Sequence, residues 1–291
     1  MIPKKLSEII FGIMSPEEII SMSVVAINSA ELYSSDGAPM KGGPLDPRLG
    51  SATNEQCGTC GLKRRQGPFG CVGHFGYIEL AVPVYHLAFV KWIQKVLNAV
   101  CEKCGRLMLP KEERNKYWKR MRKYMAEFDF PRVELAKKIL DKAALVKQCP
   151  YCGYKKQAPF RFDSQSMTFI RLIEITEEDA KKYEAQNAKI IKRTKGGKLR
   201  YYYERKYEPE EIRGILASIY SQYEHLQNEE SEERRKDLIL MGFHPERSRP
   251  EWTILTVFPV PPLTIRPPAI PASGERQEDQ LTLVLRDLIR E

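Results

Sequence analysis

The chain has 291 residues and 42% hydrophobic content, enough for one large domain or two ordinary ones with a packed core. No apolar run approaches the roughly 18 residues of a membrane-spanning helix, and MIPKKLSEIIFG lacks an apolar signal region followed by a small-residue cleavage site. A formal charge of +9 suits phosphate backbones or an acidic partner without naming either.

In chain order, the first predicted element is a helix in FGIMSPEEIISMSVVAI, with Ser15 as N-cap, Pro16 in the first helical position and Glu18 three residues after the cap. Residues 57–74 then read CGTCGLKRRQGPFGCVGH, a C-x2-C hook followed by a C-x2-H hook. Pro83 is expected to open a second helix, with Phe89, Ile93, Val96, Leu97 and Val100 on one face. CEKC at 101–104 and CPYC at 149–152 make a second pair of hooks, and the segment between them, 111–145, is helical in pattern and strongly basic.

KIIKRTKGGKLRYYYERKY at 189–207 resembles a hairpin turned at Gly196–Gly197, with Tyr201, Tyr202 and Tyr203 among cations. A helix is expected over 209–221 from Ile212, Ile215, Leu216 and Ile219. The acidic run Glu229–Glu233 reads as a surface loop or a solvated helix end. EWTILTVFPV at 251–260 has strand composition, and six prolines from Pro259 to Pro271 make an extended connector. A last helix begins near 279, with Leu281, Leu285, Leu288 and Ile289 as its apolar stripe. His86, His225 and His244 have no ligand spacing around them.

The cysteines carry the most chemistry. All seven sit in hooks, an odd number without a secretion signal, which argues against a disulfide framework and for a reducing compartment. With His74 they make eight ligands, enough for two tetrahedral sites, and Zn2+ suits thiolate and imidazole donors. The simplest pairing is local: Cys57, Cys60, Cys71 and His74 in one site, Cys101, Cys104, Cys149 and Cys152 in the other. Spacing alone leaves a crossed arrangement open. Gly58, Gly61, Gly73, Gly105 and Gly153 flank the hooks, where the backbone must turn its N–H groups toward sulfur. Four protein ligands leave no open position for substrate, so both sites read as structural, which weighs against a zinc hydrolase. No Gly-rich phosphate loop, HExxH or nucleophile elbow is present.

FGIMSPEEI, GPLDPRLG, CVGHFGYIEL, SRPEWTILTVFPVPPLTIRPP and SGERQEDQLTLVL, in this order, resemble the N-terminal region of the largest subunit of archaeal and eukaryotic-type multisubunit DNA-directed RNA polymerases. The resemblance runs from about residue 5 to the end and is weakest over 110–150 and 155–235. It implies an α+β fold, an irregular zinc-stapled clamp module of mixed helices and short strands ending in an incomplete coiled-coil helix. It also supports the local ligand pairing. The implied organisation is a clamp core over 1–258 with both zinc sites, a Pro-rich connector over 259–278 and the start of the coiled-coil helix over 279–291.

The implied role is to enclose DNA and the RNA–DNA hybrid and to dock initiation factors and a NusG-type elongation factor, alongside the other polymerase subunits and away from any membrane. The implied compartment is the archaeal cytoplasm, or the nucleus if the chain is eukaryotic. Nucleotidyl transfer would belong to the assembled enzyme, whose Mg2+-binding aspartate motif lies beyond Glu291, so Mg2+ is not expected on this chain. Candidate nucleic-acid contacts are Arg64 and Arg65 in a loop longer than the family's usual one, and Lys192, Arg193, Lys195 and Lys198 in the hairpin. Asp279-Gln280-Leu281-Thr282 stands where the family usually has two acidic residues before Leu-Thr. Ending within a helix, the chain reads as a fragment, a split-gene product or an unusual relative. The alternative is a stand-alone zinc-bearing clamp mimic that regulates transcription.

Overall fold

The first helix starts where its capping chemistry places it. Ser15 Oγ accepts from the Glu18 N–H at 3.1 Å, and Glu18 Oε2 accepts from the Ser15 N–H at 2.9 Å. The computed structural model describes residues 12–51, 55–63, 70–126, 131–156, 158–186, 188–195, 198–226, 228–269 and 276–291. Its elements in the first half are α1 (Pro16–Met22), β1 (Ser23–Ala26), β2 (Phe75–Tyr85), α2 (Val90–Ala99), α3 (Lys111–Ala126), α4 (Pro131–Ala144) and β3 (Arg161–Asp163). Then come β4 (Thr168–Ile175), α5 (Glu177–Ala185), β5 (Ile190–Lys195), β6 (Lys198–Tyr207), α6 (Pro209–Ala217), α7 (Glu229–Leu240), β7 (Ile254–Val260) and α8 (Gln280–Arg290). The mixed helix and strand content is that of the expected class.

The chain divides into two units. One comprises Met14–Pro83 and Leu255–Glu291, the other Met1–Ile13 and Val84–Ile254. In the first, Val25, Ile27, Leu45, Leu49, Ile78, Val260, Leu263 and Leu285 form the buried cluster. A three-stranded sheet runs in the order β1-β2-β7, with β1 parallel to β2. Helix α8 places Leu285 in the cluster at 1% exposure, while Leu281, Val284 and Leu288 stay exposed. Its apolar stripe is therefore divided between core and solvent.

In the second unit a sheet of order β3-β4-β6-β5 packs with α2 and α4 around Phe160, Phe169, Ile93, Leu97, Ile139 and Leu140. Asn98 on α2 reads both polar groups of Phe160, accepting its N–H at 2.8 Å and donating to its carbonyl at 3.1 Å. Tyr85 meets Phe162 and Phe169 edge-on. Strands β5 and β6 pair antiparallel, with Arg193 opposite Arg200 and Lys195 opposite Lys198, while the expected turn residues Gly196 and Gly197 lie outside the described residues.

Two expectations are corrected. Pro83 does not open a helix; it lies in β2, and α2 begins at Val90 after a 3-10 turn over Leu87–Phe89. Its ring supplies no N–H to a ladder, and it sits where β2 is largely exposed, with Val82 at 67% and Val84 at 41%. Of the two readings of the acidic run, the solvated helix end holds: Asn228 Oδ1 accepts from the Ser231 N–H at 3.0 Å, and exposed Glu229, Glu230 and Glu232 occupy the positive end of α7. The strand expected from 251 begins at Ile254, because Pro250–Thr253 forms a 3-10 turn in which Thr253 Oγ1 donates to the Pro250 carbonyl at 2.5 Å.

Candidate metal centres

The three C-x2-C hooks fold as the same knuckle. The N–H of the first cysteine donates to the carbonyl five residues on: Cys57 to Leu62 at 2.9 Å, Cys101 to Arg106 at 2.9 Å and Cys149 to Tyr154 at 2.9 Å. The glycine after the second cysteine donates back to the first cysteine's carbonyl at 2.8 Å (Gly61), 2.7 Å (Gly105) and 3.0 Å (Gly153). Those glycines have φ of 70°, 67° and 70°, a conformation a side chain would strain, so C-x2-C-G is a complete local instruction for the turn. Gly58 has another role: it lies against Arg48, where an added Cβ would sit 3.3 Å from Cγ. In the fourth hook the Gly73 N–H points at Cys71 Sγ at 3.4 Å.

Tertiary structure brings the hooks together in the local pairing. Cys57, Cys60, Cys71 and His74 form one group, and Cys101, Cys104, Cys149 and Cys152 the other; within each, the ligand atoms all lie within 4.8 Å of one another. In the second group Cys101 and Cys152 are 3.5 Å apart and Cys104 and Cys149 3.7 Å. Four thiolates about 2.3 Å from a tetrahedral Zn2+ are about 3.8 Å apart, so the donor set fits that ion. In the first group Cys71 Sγ lies 3.9 Å from His74 Nε2.

The thiols themselves ask for a cation. In the first group hydrogen bonding with His74 lowers exposed Cys60 to about 6, while burial pushes Cys71 up. In the second, burial pushes Cys101 and Cys104 up. Burial also pushes Cys152 upward, but the Tyr154 N–H and the neighbouring thiols outweigh it and bring it down to about 7. Burial thus disfavours the thiolates of Cys71, Cys101 and Cys104, and a divalent cation held between the ligands would favour them.

The candidate nucleic-acid residues do not form one surface. Strand alternation puts Lys192 opposite Tyr201 and Arg193 opposite Arg200, on opposite faces of the sheet. Lys192 pairs with Glu184 of α5 at 3.1 Å and lies 5.7 Å from the Tyr201 ring. Arg193 lies over Tyr202 at 5.8 Å, and Lys198 is exposed. Lys195 is on β5. Arg64 and Arg65 lie outside the described residues.

The family described as RNA polymerase Rpb1, domain 1, matches residues 3–291. The chain belongs to that family. It is 37% identical over 291 residues to the DNA-directed RNA polymerase subunit Rpo1N of Methanocaldococcus jannaschii, covering 99% of this chain and 18% of the relative. The Rpo1N subunit of Thermoplasma acidophilum is 36% identical over 292 residues, covering 99% of this chain and 28% of that protein. For Rpo1N of Sulfolobus acidocaldarius the figures are 36% over 292 residues, 96% of this chain and 27% of the relative. This Rpb1 domain 1 chain therefore spans less than a third of the length of these relatives. No helix among its described residues is long and apolar enough to cross a membrane.

Proposed function

We propose that this chain is the clamp part of the largest subunit of an archaeal DNA-directed RNA polymerase, acting in the cytoplasm to enclose DNA and the RNA–DNA hybrid. What carries the reading is the family match over residues 3–291, and the two four-ligand groups support it. The first group would hold one Zn2+ through Cys57, Cys60, Cys71 and His74. The second would hold another through Cys101, Cys104, Cys149 and Cys152. Bound there, zinc supplies a neutralising cross-link between knuckles, and four protein ligands exclude the water that hydrolytic zinc chemistry needs. Nucleotidyl transfer and its Mg2+ belong to the assembled enzyme.

Nucleic-acid binding by this chain is of the phosphate-contact kind. Arg193, Lys198, Arg200 and Lys206 share one face of the hairpin with Tyr202 and Glu204, and Arg200 is paired with Glu174 at 2.9 Å, so Arg193 and Lys198 are the phosphate contacts proposed. Initiation factors and a NusG-type elongation factor would dock on the assembled clamp. The test is to tag the chain in its native cell and identify what co-purifies. Recovery of the remaining polymerase subunits with DNA supports the reading. Recovery of a free transcription factor alone refutes it in favour of the stand-alone regulator.

A further inference from the structure

Helix α7 carries none of the metal ligands, yet it grips the second centre. Arg234, 3% exposed, donates Nη2 to the Cys104 carbonyl at 2.9 Å. Its Nη1 collects the carbonyls of Ser218 at 3.2 Å and Ile219 at 3.4 Å. Glu230 holds the guanidinium at 2.9 Å, and its central carbon lies 3.4 Å from the Tyr223 ring centroid. One turn on, Asp237 is fully buried. Its Oδ2 accepts from Arg106 Nε at 2.6 Å and from the Leu107 N–H at 3.4 Å, and its Oδ1 from Arg114 Nη1 at 3.0 Å.

The grip reaches the other knuckle as well. Arg106, held by Asp237, lies 4.4 Å over the ring of Tyr151, one of the two residues between Cys149 and Cys152. Tyr151 Oη then donates to the Leu109 carbonyl at 3.0 Å. The Cys101–Leu107 knuckle is therefore seized on both sides of Gly105, and the second knuckle is tied to it through an aromatic ring. None of these contacts uses a sulfur or requires an ion.

We propose that Arg234, Asp237 and Tyr151 are positioning residues of the second metal centre: they hold its two knuckles in ligating register before the ion arrives and keep them there against its loss. The α3–α4 insertion separates those knuckles in sequence, so bringing them together carries a loop-closure cost that the α7 contacts meet at folding rather than at metal binding. Fixing the Cys104 carbonyl also fixes the direction in which that residue's Cβ leaves the backbone. The inference rests on the reading that this centre holds Zn2+.

The test uses the full chain loaded with 113Cd2+, whose four-thiolate and three-thiolate-one-imidazole centres give separate resonances, together with elemental analysis of the zinc form. Loss of each resonance after addition of EDTA is timed for the wild type and for Tyr151→Phe, Arg234→Gln and Asp237→Asn. Outer contacts of this kind are worth about 10–100-fold in metal retention. The second-centre signal is expected to decay faster by that order in Arg234→Gln and Asp237→Asn, and by a smaller factor in Tyr151→Phe. The first-centre signal should keep its wild-type rate in all of them.

Arg234→Lys should recover part of the loss, since one ammonium can hold the Cys104 carbonyl but not all three. If Asp237→Asn does not fold, the other variants decide. Unchanged second-centre decay in folded Arg234→Gln and Tyr151→Phe overturns the proposal, as does equal acceleration at both centres, which signals general loosening. A wild-type chain that binds no metal refutes the zinc reading itself, an outcome visible before any variant is made.

Discussion

Glu102, inside the Cys101–Cys104 hook, forms a bidentate pair with Arg171 of β4, with distances of 2.8 and 2.7 Å. The Arg171 side chain is 3% exposed and that of Glu102 23%. The guanidinium carbon lies 3.8 Å from the Phe160 ring centroid, and Arg171 Nε is buried without a partner. Glu102→Gln therefore leaves a desolvated cation with a neutral partner. Breaking such a pair costs about 3–5 kcal/mol, and the partial exposure of Glu102 puts the expected loss near the lower end, about 3 kcal/mol. At roughly 2–4 °C per kcal/mol for chains of this order, the melting temperature should fall by on the order of 10 °C.

Arg171→Met removes the buried cation and keeps most of the packing volume against Phe160. The double variant should then recover most of the loss, because exchanging both charges for groups of similar shape is nearly neutral. Circular-dichroism melts of the zinc-loaded wild type, both single variants and the double variant close the cycle. A double variant that falls by the sum of the two singles would show no coupling across the pair and would refute the reasoning.

Elemental analysis should find two zinc ions per folded chain. Cys149→Ser or exhaustive chelation should lower the melting temperature, because the metal stabilises only the folded chain that presents its ligands, while the α7 contacts keep the second pair of knuckles in register; one ion or none in folded protein contradicts the two-zinc count. Burial holds the Glu251 carboxyl above its ordinary range, with Ser221 Oγ donating to one oxygen and the other oxygen buried without a partner. A raised folded-state value means its contribution is most favourable below the ordinary carboxylate range and is lost as pH rises through the raised value. Glu251→Gln should accordingly stabilise the protein by an amount that grows across that window, and a flat or falling advantage in melts from pH 4.5 to 8 would argue against it. In DNA titrations by fluorescence anisotropy, neutralising Arg193 and Lys198 together should weaken binding and flatten its salt dependence more than neutralising Lys192, which is already paired with Glu184; the reverse order would move the contact to the other face.

The amino-acid order by itself determined everything that closes within a few residues. C-x2-C-G specifies a knuckle because its hydrogen bonds span five residues and its glycine supplies the positive φ. Ser15 with Glu18 starts α1, and the Gly-Gly pair separates two strands that pair in the expected register. The donor count also pointed to two tetrahedral sites, since ligand chemistry depends on residue type before it depends on place. Pro83 was misread because a proline before an apolar periodicity signals a helix start and an exposed strand position equally well.

The tertiary structure brought the hooks together in the local pairing that the sequence favoured, where spacing alone had left the crossed one open. It also decided that Lys192 and Arg193, adjacent in sequence, serve opposite faces, and that Leu285 is buried while Leu281 and Leu288 are not. Arg234 and Asp237 sit in a charged stretch that reads as a solvated surface, and no local signal marks them. They become buried partners of the second centre because their contacts lie 130 residues away, at Cys104 and Leu107, where folding alone brings a carbonyl and an N–H within reach.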